Sequence, residues 1–150
     1  MKVLVVRPDL LMYPKVHLGA GSVEGAALVE AVRQHGHEAR LTDLHVDTSQ
    51  DYIKLLEAMA PDVVGFCCHC SVHASEIQSL ASFTKARVPH VAVFVNGWGA
   101  LCVAGELLRH GKEGIDYVVS EAVAVGPLLR ALEQHRQVAS APPSDFRRFA

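Results

Sequence analysis

Cys67, Cys68, His69 and Cys70 stand together directly after the apolar run 63–66. Thiolates and imidazole are soft or borderline ligands suited to zinc, copper or haem iron. Cys67 and Cys70 also have the CxxC spacing of redox motifs, at a strand-to-helix turn where a helix N-terminus lowers a thiol pKa. Equally, cysteine packs as a small hydrophobe at strand ends. A structural zinc site needs a second ligand pair, for which Cys102 and His17 are the available partners. His17 lies in a long loop, 8–22, where it can act as a metal ligand or general base, or simply be solvated. The catalytic candidates are therefore His17, Cys68, His69 and Cys70, as acid, base or nucleophile, with Cys67 beside them.

Two glycine-bearing turns add binding chemistry. Gly19, Gly21 and Gly25 form a GxGxxxG string before a helix, and Asp43 follows at about the distance of a ribose contact. A dinucleotide fingerprint follows its strand at once, whereas these glycines come well after the first strand. The string can still seat a phosphate at a helix N-terminus. Asn96, Gly97, Trp98 and Gly99 form the second turn. It lets a ligand approach the backbone and stack on Trp98, or it is an ordinary tight turn with Trp98 packed under a helix.

Alternating elements position these residues. Segments 2–7, 38–42, 61–66, 91–95 and 116–120 read as strands, several of them continuous β-branched runs. Helices are expected from Ser22 to Gln34, from Thr48 or Ser49 to Ala58, from Ser71 or Ala74 to Arg87, from the Trp98 turn to His110, and over 122–135. Alternation of this kind implies a mostly parallel sheet covered on both faces. Right-handed crossovers then favour a flavodoxin-like, Rossmann-like doubly wound sheet of order 2-1-3-4-5. Ligands of such sheets bind beyond the carboxyl ends of the strands. The loop 8–22, the segment 67–72 and the turn after Asn96 would meet there. Residues 1–137 form one domain, and 138–150, with Pro142 and Pro143, a tail or linker.

Composition fits this reading. Half of the 150 residues are hydrophobic and 20% are charged, enough for a normal core. The net charge of −2 offers no basic footprint for nucleic acid. No apolar run approaches the ~18 residues of a membrane span, and Arg7, Pro8 and Asp9 cut short the one run that could pass for a signal peptide. Clustered cysteines without a disulfide framework suit a reducing cytoplasm.

The chain resembles the cobalamin-binding domains, and most of all the N-terminal domains of cobalamin-dependent radical SAM enzymes, over about residues 2–135. The resemblance rests on Val3-Leu4-Val5-Val6-Arg7-Pro8, on His17-Leu18-Gly19, and on His35-Gly36-His37-Glu38 with Thr42-Asp43-Leu44. It continues through Ala60-Pro61-Asp62-Val63-Val64-Gly65-Phe66, Asn96-Gly97 and Gly114-Ile115-Asp116-Tyr117-Val118-Val119. It implies a corrin lying over the strand ends, with His17 as the cobalt ligand and contacts from Gly19, Gly21, Cys67, Cys68, His69, Asn96, Gly97 and Trp98. Departures are specific. Lys15 and Ala20 stand where the family's Asp-x-His-x-x-Gly has Asp and its last Gly. Cys67-Cys68-His69 replaces Ser-x-Leu, and Asn96-Gly97 replaces Gly-Gly. No CxxxCxxC is present for an iron–sulfur cluster. Three functions are compatible: a cobalamin module, stand-alone or part of a longer protein, serving a methyl-transfer or radical SAM partner; a small cofactor-free biosynthetic enzyme on the same scaffold; or a zinc- or haem-binding protein using 67–70. Each takes a small molecule in the crevice and is compatible with a catalytic partner or a homodimer.

Overall fold

The computed structural model describes residues 1–8, 23–68 and 74–140. Five parallel strands, β1 (Lys2–Arg7), β2 (Glu38–Asp43), β3 (Val63–Cys67), β4 (Ala92–Asn96) and β5 (Tyr117–Val119), pair in the order β2-β1-β3-β4-β5. This is the expected topology. Its helices are α1 (Val23–Gln34), α2 (Ser49–Met59), α3 (Ala74–Arg87), α4 (Trp98–Cys102), α5 (Ala104–Leu107) and α6 (Val125–Ser140).

The central strands are buried on both faces, so their side chains divide by parity. Leu4, Val6, Val64, Phe66, Cys68, Val93 and Val95 pack against Tyr52 and Leu56 of α2 and Ile77 and Ala81 of α3. Val3, Val5, Val63, Cys67, Phe94 and Val119 pack against Leu28, Val29 and Val32 of α1 and Val125 and Leu129 of α6. On that second face the Phe94 ring lies where a Gly65 side chain would be. The Tyr52 hydroxyl and Thr84 Oγ1, 2.7 Å apart, tie α2 to α3 within the first layer.

Local signals set most boundaries. Thr48 caps α2 in a full capping box with Asp51, and Ala60 ends the helix in a left-handed conformation at φ 44° before Pro61. The crossover from β4 to β5 departs from expectation. A continuous helix to His110 is replaced by α4, α5 and a 3-10 segment, Leu108–Glu113. Val103 leaves the helical region at φ −126°, ψ 23°, and Gly111 takes φ 53°. A β-branched residue and a glycine at those points break the ladder. The last helix runs further than expected: a 3-10 turn at Ala122–Ala124 leads into α6, which continues to Ser140. Among the described residues, no helix is long and apolar enough to cross a membrane.

Candidate functional site

The parallel register brings the chemistry-bearing residues to one end of the sheet. Arg7 aligns with Asp43, Cys67 with Asn96, and Asn96 with Val119. The β1–β2 side of this end is internally satisfied. Arg7 Nη1 donates to Asp43 Oδ2 at 2.9 Å, and Asp43 Oδ1 accepts the His45 N–H at 3.0 Å. Asp47 Oδ2 accepts from the Thr42 hydroxyl and the Asp43 N–H, both at 3.0 Å. Asp43 thus has both carboxylate oxygens occupied by protein donors, which disfavours the ribose contact suggested by its position.

The β3–β4 side is built differently. Asn96 is 1% exposed, and its carbonyl accepts the Cys68 N–H at 2.8 Å. Among the described residues its Nδ2 has no hydrogen-bond partner. Gly97 then turns the chain at φ 126°, donating its N–H to the Val119 carbonyl at 3.1 Å. A side chain there would run into the Cys68 carbonyl, and Glu24 Oε1 lies 3.1 Å from the same point. The glycine is required both by its backbone angle and by the closeness of β3. Trp98, next in line, is 73% exposed. The alternative in which it packs under a helix is therefore corrected: the helix it begins, α4, buries Gly99 and Ala100 and leaves the indole outside. Val23 at the start of α1 and Val123 after β5 are also exposed. Both lie on elements of the second core layer, α1 and the turn that leads into α6.

Within the cysteine cluster, Cys67 and Cys68 part company. Cys67 and Cys68 are both fully buried and belong to opposite core layers. Adjacent residues on opposite faces of a sheet cannot chelate one ion together. Burial, with the negative charge of Glu24 adding to it, pushes the Cys67 thiol up to about 12. It is not a thiolate at neutral pH, so a nucleophilic or redox role for it is disfavoured. Among the described residues no three His, Cys, Asp or Glu side chains are grouped to hold a metal ion. Cys102 is exposed on α4. His17, Gly19, Gly21, His69 and Cys70 lie outside the described residues. Glu24 was missed by the sequence reading. Its signal was an acidic residue in the first turn of α1 directly after the glycine string, where a carboxylate also favours the helix dipole.

Comparison with known proteins agrees with this architecture. The family model for the B12 binding domain matches residues 22–125. A hopanoid C-3 methylase from Methylococcus capsulatus is 36% identical over 144 residues, spanning 95% of this chain but only 28% of the methylase. Among solved structures, a cobalamin-binding protein from Desulfitobacterium hafniense DCB-2 superposes with a TM-score of 0.65, covering 87% of this chain and 58% of that one. At 13% identity that likeness speaks for the fold. A parallel 2-1-3-4-5 sheet with a glycine turn after β4, and a family match over most of its length, lead to one assignment: the chain belongs to the B12-binding domain family.

Proposed function

We propose that this domain binds cobalamin over the carboxyl ends of β1, β3, β4 and β5, and presents it to a methyl-transfer or radical SAM catalytic unit. The observation that carries the reading is the turn after β4. It sets a buried side-chain amide at Asn96 beside an exposed indole at Trp98, with Gly97 turning the chain tightly against Cys68 between them. Such a combination of a few polar groups and an aromatic surface suits a large planar ligand. Family membership and the 36% identity to a methylase support the ligand and the reaction class. The part of the methylase beyond this match is where a catalytic unit would reside.

Each residue has a role in this reading. Gly97 lets the turn pack against Cys68, Asn96 supplies a hydrogen-bonding amide, and Trp98 offers an exposed apolar surface. His17 is the residue that would hold cobalt, as the family resemblance implies. Cys67 and Cys68 contribute shape rather than ligation, as buried packing under the site. Bound cobalamin supplies a cobalt centre that accepts and hands on a methyl group. The cofactor-free enzyme and the zinc or haem protein gain no support from the buried, opposed Cys67 and Cys68.

Titration with hydroxocobalamin tests the proposal. Trp98 is the only tryptophan, so its emission reports the mouth of the site directly. Saturable quenching of that emission, with a shift in the corrin absorption bands, is the expected result. The bands of a His17→Ala complex should differ from those of the parent if His17 holds cobalt. A parent protein that leaves both signals unchanged at saturating cobalamin refutes the reading.

A further inference from the structure

The layer between the sheet and helices α1 and α6 is filled among the described residues. Val5 of β1, Leu28 of α1, Phe94 of β4, and Val125 and Leu129 of α6 are all fully buried in it. The Phe94 ring lies over the bare backbone of Gly65, its register partner on β3, in the space that a side chain there would take. Two further contacts close the borders of the layer. Toward the carboxyl end the first turn of α1 meets the β4 turn, where Glu24 Oε1 lies 3.1 Å from the Gly97 Cβ position. Along the outer seam the His35 ring, just past α1, stands where a side chain at Gly126 would project from α6. Three glycines, each facing a larger group, thus bring strand to strand, helix to turn and helix to helix.

This packing bears on any ligand with an appendage. Cobalamin joins a flat corrin ring to a nucleotide loop that carries a phosphate, a ribose and a benzimidazole. With the ring over the strand ends, the loop points either down between sheet and helices or out to solvent. The downward course needs a pocket of about 300 Å³ or more. That volume is given to Phe94 and its neighbours. Interiors are close-packed, so room on this scale is made only by moving a helix or the Phe94 ring. The downward course would also set a phosphate among apolar side chains, where an unpaired charge is costly.

We infer that the domain holds corrinoids by the ring, with the nucleotide loop left outside the sheet–helix layer, so that corrinoids lacking the loop are ligands on equal terms. The inference rests on the cobalamin reading above and adds a ligand class to it.

The test titrates the full chain with hydroxocobalamin and with cobinamide, which has the ring but no nucleotide loop. Corrin absorption and Trp98 emission give the two affinities. Cobinamide should bind as tightly as hydroxocobalamin, or more weakly by no more than about threefold. A larger deficit shows that protein holds the loop, and overturns the inference. Phosphorus NMR of bound hydroxocobalamin, with a soluble gadolinium chelate added, reads the position of the loop directly. The loop phosphate should broaden as it does in the free cofactor, and a shielded phosphate overturns the inference. The two failures are distinct. A chain that binds no hydroxocobalamin refutes the cobalamin reading itself, whereas tight hydroxocobalamin beside weak cobinamide overturns this inference alone.

Discussion

The two ends of the sheet are finished in opposite ways. At the amino end, charged and polar groups close on one another. Asp62 accepts from Arg136 of α6 at 2.5 Å and from the Lys2 N–H at 2.7 Å. Lys85 of α3 meets Asp116 at 2.6 Å, and Asp116 also takes the Val93 N–H at 2.8 Å. His37 lies 3.6 Å from Glu133. At the carboxyl end the β1–β2 corner is treated this way, through Arg7 and Asp43. The β3–β4 corner keeps a buried amide unsatisfied among the described residues, a glycine at positive φ and an exposed indole. One end contributes stability, and the other, on the proposed function, gives some up for binding.

Changes at the two ends should therefore separate stability from binding. The largest effect is expected at Gly97. Gly97→Ala meets both the φ of 126° and the Cys68 carbonyl, and should lower unfolding free energy by about 3 kcal/mol. Denaturant titration measures this, and cobalamin quenching of Trp98 should be lost as well. A stable, binding-competent Gly97→Ala would break the comparison.

Asp62→Asn should act on stability alone, by about 1–2 kcal/mol for a charge-assisted pair. Burial opposes ionisation of Asp62, but its hydrogen bonds from Arg136 and Lys2, with the nearby positive charges, hold its carboxyl below the usual range. Its contribution is therefore present above the ordinary carboxylate pKa and fades as pH falls through the lowered value. Parallel unfolding curves at neutral and acid pH should converge for parent and variant, while hydroxocobalamin affinity stays the same. A weakened affinity would show the two ends to be coupled.

The smallest effect belongs to His37. Burial, then the terminal ammonium and His35, lowers its pKa, with Glu133 pulling the other way. Below the unperturbed value of 6.5 the unfolded chain takes up the proton more readily, so stability is full above that pH and declines beneath it. His37→Gln should flatten this decline between neutral pH and about pH 5 in urea midpoints. An unchanged slope would assign the acid sensitivity elsewhere.

The sheet was legible because parallel strands buried on both faces appear as unbroken β-branched runs such as Val3-Leu4-Val5-Val6. The topology followed from handedness, and the cap of α2 was one of two candidates, Thr48 or Ser49. The site was only partly legible. Parity along β3 already places Cys67 and Cys68 on opposite faces, yet their place in one Cys/His cluster suggested common ligands. The approach of Glu24 to Gly97 joins residues more than seventy positions apart, which local pattern cannot supply. The break at Val103 was hidden by small, helix-compatible neighbours such as Ala100 and Ala104.

That break has a consequence for motion. The path from β4 to β5 consists of pieces of four to six residues, where α1, α2 and α3 run for eleven to fourteen. Short ladders cooperate poorly and open at low free energy. Amides of 98–113 should thus exchange with solvent through local excursions while the β1–β3 centre stays shut. The wall carrying Trp98 is then the compliant side of a rigid frame, able to settle around a bulky guest after it has landed.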